Sequence, residues 1–289
     1  MKDNKVFLIA GGDMRQLYAA KKLAEKYKTY IYGFEDVSDT GKAEKIDDTE
    51  NLPEKIGCLV LPLPVSTDNV CLNAPHSRRK LMLSSLKNAV SDDTVITGGR
   101  VTQEINALFG RNVTDYSLRE DFAVANAVPT AEAAIEIAMQ NFGRTIYKAK
   151  VLIVGAGRIA KVLAKILNGF GAQVTVAARK KTDLIWSEIY GCKAAEISKL
   201  EKSAEKADII FNTAPAMLVD KSVLDRMKKN AFVIDLASKP GGTDFEYAQK
   251  RDIKALLSLS LPGKYSPVTA GEIIAQTTLN ILTERSFPE

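Results

Sequence analysis

The stretch VLIVGAGRIAKVLAKILNGFGAQVTVAAR, Val151–Arg179, limits the fold more than any other part of the chain. An aliphatic run ends at Gly155-Ala156-Gly157-Arg158-Ile159-Ala160, which fits G-x-G-x-x-[GA]. Apolar residues then recur at Ile159, Val162, Leu163, Ile166, Leu167 and Phe170, the spacing of one helix face. Gly171 closes the helix, and a second apolar run, Gln173–Ala178, follows at once. Strand, glycine turn, helix and strand together are the opening of a dinucleotide-binding βαβ unit. In such a unit Gly155 permits the tight turn, Gly157 admits a pyrophosphate, and Ala160 lets helix and strand pack closely. The helix N-terminus offers N–H groups and partial positive charge to the phosphates. Gly155, Ala156, Gly157, Arg158 and Ile159 are therefore the expected phosphate contacts.

The end of the second strand bears on which nicotinamide cofactor fits. An acid there would accept hydrogen bonds from the adenosine ribose. The sequence instead reads Ala178-Arg179-Lys180-Lys181. A guanidinium pairs well with a 2′-phosphate, so Arg179 and Lys180 point to NADP(H) over NAD(H). An exposed basic turn is the plainer alternative.

With 289 residues, and roughly 100–200 residues per domain, two domains are expected. Short apolar runs alternate with helix-period segments along the chain. The expected strands are Val6–Ala10, Tyr30–Gly33, Cys58–Leu61 and Thr94–Thr97, then Val151–Val154, Gln173–Ala178, Ile209–Asn212, Phe232–Asp235 and Lys254–Leu259. This pattern predicts an α/β protein with two Rossmann-like, doubly wound parallel-sheet domains and an interdomain cleft. The first covers residues 1–127 and receives substrate; the second covers 128–269 and binds NADP. An interdomain helix is expected over Pro129–Asn141, starting at the proline, with Ile135, Met139 and Phe142 as its apolar stripe. A terminal helix is expected over Ala270–Glu284, with Ile273, Ile274, Thr277 and Leu282 as its buried face.

Apolar residues at 46% and charged residues at 26% argue against disorder. No run approaches 18 consecutive apolar residues, so no membrane span is expected. The run Val6–Ala10 is too short for a signal-peptide core, and a cytoplasmic protein is expected. Three cysteines without a CxxC pair read as reduced thiols, not a metal cage. The net charge of +5 suits an anionic small molecule, while the lack of a basic stripe argues against nucleic acid.

The first unit has its own glycine pair in Ala10–Gln16, without the GxGxxG spacing, and Glu35 mimics a ribose-binding acid. A second nucleotide site is one reading. The favoured reading is substrate reception, with Asp13 as a helix cap and Arg15 as a carboxylate anchor; the plainer alternative for Arg15 is a solvated helix residue. In the second unit, ligands belong at the carboxyl ends of strands. That selects Thr213, Ala214 and Pro215, and Asp235 as either a cofactor contact or a turn cap. Lys239, in the turn Ser238–Gly242, suits a substrate carboxylate, and Lys264 is a similar candidate. Thr130 and Glu132 complete the set at the expected start of the interdomain helix.

Several longer strings are more specific than the glycine loop: GGDMRQ (Gly11–Gln16), RED (Arg119–Asp121), VPTAEAAI (Val128–Ile135), VGAGRIA (Val154–Ala160), DLASKPGGTDFEYAQKRDIKALL (Asp235–Leu257) and LPGKYSPVTAGEI (Leu261–Ile273). In these the chain resembles the dipicolinate synthase A-subunit family, over nearly its whole length. The resemblance implies NADP-dependent oxidation of dihydrodipicolinate, a small dicarboxylate, to dipicolinate in the mother cell of a sporulating bacterium. It also implies the architecture of 2-hydroxyacid dehydrogenases, a C-terminal helix (270–289) packing back on the first domain, and partnership with a flavoprotein-like B subunit. A homo-oligomer is expected too.

The lone histidine, His76, is expected to be an ordinary surface residue in a loop. Val151–Leu261 contains no histidine, which disfavours hydroxyacid oxidation by a His base. Formation of an aromatic product lessens the need for a strong base. An NADP-binding regulatory role, or a dehydrogenase of another small carboxylic or amino acid, stays open at this point.

Overall fold

The computed structural model describes residues 5–50, 52 and 55–286. The chain divides into two compact units, Met1–Asn126 with Pro262–Glu289, and Ala127–Leu261.

The first unit is built on six parallel strands: β1 (Phe7–Ala10), β2 (Thr29–Tyr32), β3 (Glu44–Ile46), β4 (Cys58–Val60), β5 (Val95–Gly98) and β6 (Thr114–Asp115). Their order is β3-β2-β1-β4-β5-β6, so the sheet reverses direction between β1 and β4. Every residue of β1 and β2 is buried. Helix α1 (Met14–Ala24) crosses from β1 to β2, and the Asp13 side chain caps it through the Arg15 N–H. Helix α2 (Gln103–Phe109) is capped by Thr102 and ends on Gly110 in the left-handed region.

Helix α3 (Glu120–Phe142) runs from the first unit into the second. The expected start at Pro129 is therefore wrong: the proline lies inside the helix. It removes the N–H that would bond the Ala125 carbonyl, but the helix continues around this gap. Met139, expected in the buried stripe, is 42% exposed. By length and composition α3 could cross a membrane, yet 56% of its most apolar window is buried inside the protein.

The second unit repeats the plan with β7 (Lys150–Val154), α4 (Arg158–Gly169), β8 (Gln173–Ala178), α5 (Lys181–Ile189), β9 (Lys193–Glu196), α6 (Leu200–Ala204), β10 (Ile209–Asn212), α7 (Lys221–Arg226), β11 (Phe232–Asp235), α8 (Phe245–Lys250) and β12 (Ala255–Leu257). Its strands run β12-β11-β10-β7-β8-β9, all parallel. One face is packed by Ala134, Ala138, Leu163 and Leu167, the other by Leu200, Val223 and Leu224. Covering both faces explains why the central strands are nearly pure aliphatic.

After β12 come α9 (Leu261–Tyr265) and α10 (Pro267–Ser286). Helix α10 starts at Pro267, where a missing N–H does no harm. Ile274, Ala275, Ile281 and Leu282 join the core formed by Phe7, Leu17, Ala20 and Leu23. Gly271 makes this approach feasible: a Cβ there would lie 2.5 Å from the Arg15 carbonyl oxygen and 2.6 Å from Tyr18 Cβ.

Candidate functional site

In the second unit β7 and β10 are neighbours at the point where strand order reverses, the place where open parallel sheets bind ligands. Gly155 follows β7 with φ of +102°, and a Cβ there would lie 2.5 Å from Thr213 Oγ1. Thr213 follows β10 and donates its N–H (2.9 Å) and its hydroxyl (2.9 Å) to the Val154 carbonyl. Buried Asn212 folds the same turn: its Nδ2 donates to the Ala214 carbonyl, and its Oδ1 accepts from the Ala214 N–H. The two loops are thus interlocked before any ligand arrives. Ala156, Ile159 and Ala214 are half-buried, while Arg158 and Pro215 are exposed.

Gly157 differs from Gly155. It is the N-cap of α4, with φ of −76° and no side chain to cap the helix. A Cβ at Gly157 would meet nothing within 4 Å. The first-turn N–H groups of a helix have no intrahelical acceptor, so this end is open to an anion and suits a pyrophosphate. Ala160 is buried against the sheet. Beyond β8, Arg179 and Lys180 are exposed, and neither has an ion-pair partner among the described residues.

Asp235, at the end of β11, is fully buried. Its carboxylate accepts from the N–H of Ala237 (2.9 Å), the N–H of Gly242 (2.8 Å) and the hydroxyl of Thr243 (2.7 Å). A group so enclosed presents nothing to a cofactor, which corrects the expectation that it is a cofactor contact. Ser238, Lys239 and Pro240 form the exposed tip of the same loop. Lys264 is exposed on α9.

The helix start expected at Thr130 and Glu132 does not exist. Both lie inside α3, where no free N–H groups gather, Thr130 buried and Glu132 exposed. The basis for assigning them a site role is lost.

In the first unit Arg15 is not a solvated surface residue: its side chain is 13% exposed. Nε donates to Asp13 Oδ1 (2.9 Å), and Nη2 to Asp13 Oδ2 (2.8 Å) and to the Leu63 carbonyl (2.9 Å). The guanidinium thereby ties the loop after β1 to the loop after β4. Only Nη1 lacks a hydrogen-bond partner among the described residues. Gly263 lies against this group; a Cβ there would be 3.0 Å from Arg15 Nε. The LPGK and TAGEI strings thus carry two close-approach glycines, Gly263 and Gly271, and nothing in the periodicity reveals that role.

The glycine pair of the first unit is filled from within. The Gly12 N–H donates to the Asn73 carbonyl at 2.7 Å. A Cβ at Gly11 would lie 2.8 Å from both that oxygen and Leu72 Cδ2, and one at Gly33 would lie 2.6 Å from Leu81 Cδ1. In the first unit Leu72, Asn73 and Leu81 therefore fill the space after β1 whose counterpart after β7, at Gly157, is open. Beneath it, burial raises the Tyr116 phenol far above its usual range. The protonated hydroxyl donates to the Leu61 carbonyl (3.2 Å) and accepts from Gln16 Nε2 (3.0 Å). His76 is half-buried and stacked on Phe34, with centroids 6.1 Å apart. Burial pushes the Cys58 thiol up to about 12. Among the described residues no three His, Cys, Asp or Glu side chains form a metal-binding group.

Two doubly wound parallel sheets, one with an open glycine loop at its switch point, give this oxidoreductase-like chain the fold of the two-domain dehydrogenases, with a nicotinamide-dinucleotide-binding domain in its second unit. The family described as D-isomer specific 2-hydroxyacid dehydrogenase, NAD binding domain, matches residues 124–239. The family described as the N-terminal domain of the dipicolinate synthase A subunit matches residues 6–116. The dipicolinate synthase A subunit of Bacillus subtilis (strain 168) is 31% identical over 282 residues, 96% of this chain and 95% of that protein. The crystal structure of the A subunit from Bacillus halodurans superposes with a TM-score of 0.87 at 33% identity, covering 98% of this chain and 99% of that one. The crystal structure of its Bacillus subtilis counterpart gives 0.88 at 32% identity, covering 99% and 98%. The chain belongs to the dipicolinate synthase A-subunit family.

Proposed function

We propose that the protein oxidises dihydrodipicolinate to dipicolinate with NADP⁺, as the A subunit of a dipicolinate synthase. The observation that carries the cofactor assignment is the contrast between the two glycine loops. Open space and an uncapped helix end lie at Gly157, with Arg179 and Lys180 exposed beyond β8. Gly155–Ile159 would hold the pyrophosphate, and Arg179 the 2′-phosphate. When bound, the oxidised nicotinamide supplies the hydride acceptor. Oxidation removes a hydride from a ring carbon and a proton from the ring nitrogen or the neighbouring carbon. The proton passes to solvent, and aromatisation drives the step.

The chain's own contribution is orientation more than acid–base chemistry. In the second unit the exposed Lys239 ammonium is the proposed partner of a substrate carboxylate; in the first unit, considered by itself, Arg15 keeps Nη1 available for an anion. Asp13 and Leu63 fix the guanidinium so that only this nitrogen is left to donate. Partnership with a B subunit, homo-oligomer formation and a place in the mother-cell cytoplasm during sporulation are part of the same proposal. They rest on the family's naming and on the resemblance.

Calorimetric titration of the full chain tests the cofactor assignment. NADP⁺ is expected to bind more tightly than NAD⁺. Arg179→Ala should weaken NADP⁺ about 10- to 100-fold, the usual loss for a charge-assisted pair, with NAD⁺ changed less than about twofold. Equal or tighter NAD⁺ binding by the unaltered chain would sink the assignment.

A further inference from the structure

We infer that Asp235 is a positioning residue for Lys239: its buried carboxylate closes residues 236–243 into a rigid loop that presents the lysine, and it touches no ligand itself. The inference rests on the reading of Lys239 as a carboxylate partner and adds what holds it. Three donors meet the carboxylate from both ends of the loop, Ala237 at the start and Gly242 and Thr243 at the finish. A buried charge is tolerated only with such partners, and charge-assisted bonds are roughly twice as strong as neutral ones.

The base of the loop has no slack. A Cβ on Gly242 would lie 2.4 Å from the Ala216 carbonyl oxygen, 2.5 Å from Asn212 Nδ2 and 2.6 Å from the Ala214 carbonyl oxygen. The Gly242 carbonyl in turn accepts from Leu218 N–H (3.1 Å) and Val219 N–H (2.9 Å). At the tip the Gly241 N–H donates to the Ser238 carbonyl at 2.9 Å, closing a turn around Lys239 and Pro240. Gly241 has φ of +91° and sits against Asp235 Oδ2, 3.3 Å from where a Cβ would be. Lys239 itself has no hydrogen-bond partner among the described residues, so the backbone alone sets where its side chain begins. A long flexible cation gains affinity when its stem is fixed in advance. Of the stretch Asp235–Thr243, Ala237, Gly241, Gly242 and Thr243 serve the clamp around the Asp235 carboxylate.

A double-mutant cycle on the full chain tests this. Dipicolinate is titrated calorimetrically against protein saturated with NADP⁺, and NADP⁺ binding is measured separately. Lys239→Ala should weaken dipicolinate about 10- to 100-fold. Asp235→Asn should weaken it about fivefold or more, and the double variant should be no weaker than Lys239→Ala alone within about twofold, because contacting or coupled residues do not add. NADP⁺ affinity should stay within about twofold throughout. Additive losses overturn the positioning role while leaving Lys239 as a ligand. An unchanged affinity in Asp235→Asn overturns it likewise. No effect of Lys239→Ala, or no binding of dipicolinate at all, removes the underlying reading and the inference together. If Asp235→Asn fails to fold, Thr243→Val takes its place in the cycle, with Thr243→Ser expected to restore wild-type binding; failure of the serine variant to restore it also refutes the clamp.

Discussion

Gly155 and Gly157 stand two positions apart and answer to different neighbours. At Gly155 any side chain meets the Thr213 hydroxyl and a backbone held at φ of +102°, so the constraint is internal. At Gly157 the backbone is ordinary and the space empty. Gly155→Ala should therefore lower Tm, by strain of about 1–3 kcal/mol. Gly157→Val should leave Tm nearly unchanged and weaken NADP⁺ at least about tenfold, a loss of about 1.4 kcal/mol. Thermal melts and titrations of both variants check this. Unimpaired binding by Gly157→Val would move the phosphates elsewhere. The loop was legible because spacing alone encodes a turn followed by a helix. Asp235 was not, because an acid at a strand end reads the same whether its carboxylate faces a ligand or its own loop. Arg15 was half-legible: the residue type suits an anion, but its partners Asp13 and Leu63 lie in different loops, the second of them distant in sequence.

At the level of elements, the central strands and one edge, β12, were readable, and the other three edges were not. β3 (EKI), β6 (TD) and β9 (KAAE) are all edge strands, short and partly exposed, so they lack the aliphatic run that marks a buried strand. The join of α3 to α10 was equally hidden. Arg119, just before α3, donates Nε (2.9 Å) and Nη2 (3.0 Å) to Asp121 and Nη1 (2.8 Å) to Glu284 of α10. Asn280 Nδ2 adds a bond of 2.9 Å to Asp121. The Arg119 guanidinium chiefly holds the Asp121 carboxyl down to about 2, below its ordinary 3.8. A depressed folded-state pKa stabilises above the unfolded value and is lost as pH falls through the folded one. Wild type should therefore exceed Asp121→Asn in Tm at neutral pH, by the equivalent of about 1 kcal/mol after solvent screening of a partly exposed pair. The gap should close as pH drops from 3.8 toward about 2. A gap that stays constant with pH would show that the carboxylate's charge is not what joins the helices.

Over the whole molecule, two sheets share one connectivity and have different fates at the same topological point. Both place a first strand beside a fourth, and both follow the first strand with glycine and a helix. Connectivity alone would allow each to take a nucleotide. The difference lies in what fills the space above the glycines. In the first unit the Asn73 carbonyl accepts the Gly12 N–H, Leu72 packs on Gly11, and Leu81 packs on Gly33. A phosphate arriving there would have to displace a backbone hydrogen bond and apolar contacts already made, whereas at Gly157 it displaces only solvent. Opening such a packed segment costs several kcal/mol, since each large buried side chain alone contributes about 1.5–3 kcal/mol. That penalty exceeds what an imperfect glycine loop returns. Each chain should accordingly bind one dinucleotide. Calorimetric stoichiometry with NADP⁺ should give one site per chain, and Gly157→Val should abolish that site without exposing a second of similar affinity. Two equivalents of comparable affinity in the unaltered chain would show that residues 72–81 yield to a ligand, and that the closed loop of the first unit is a second cofactor site after all.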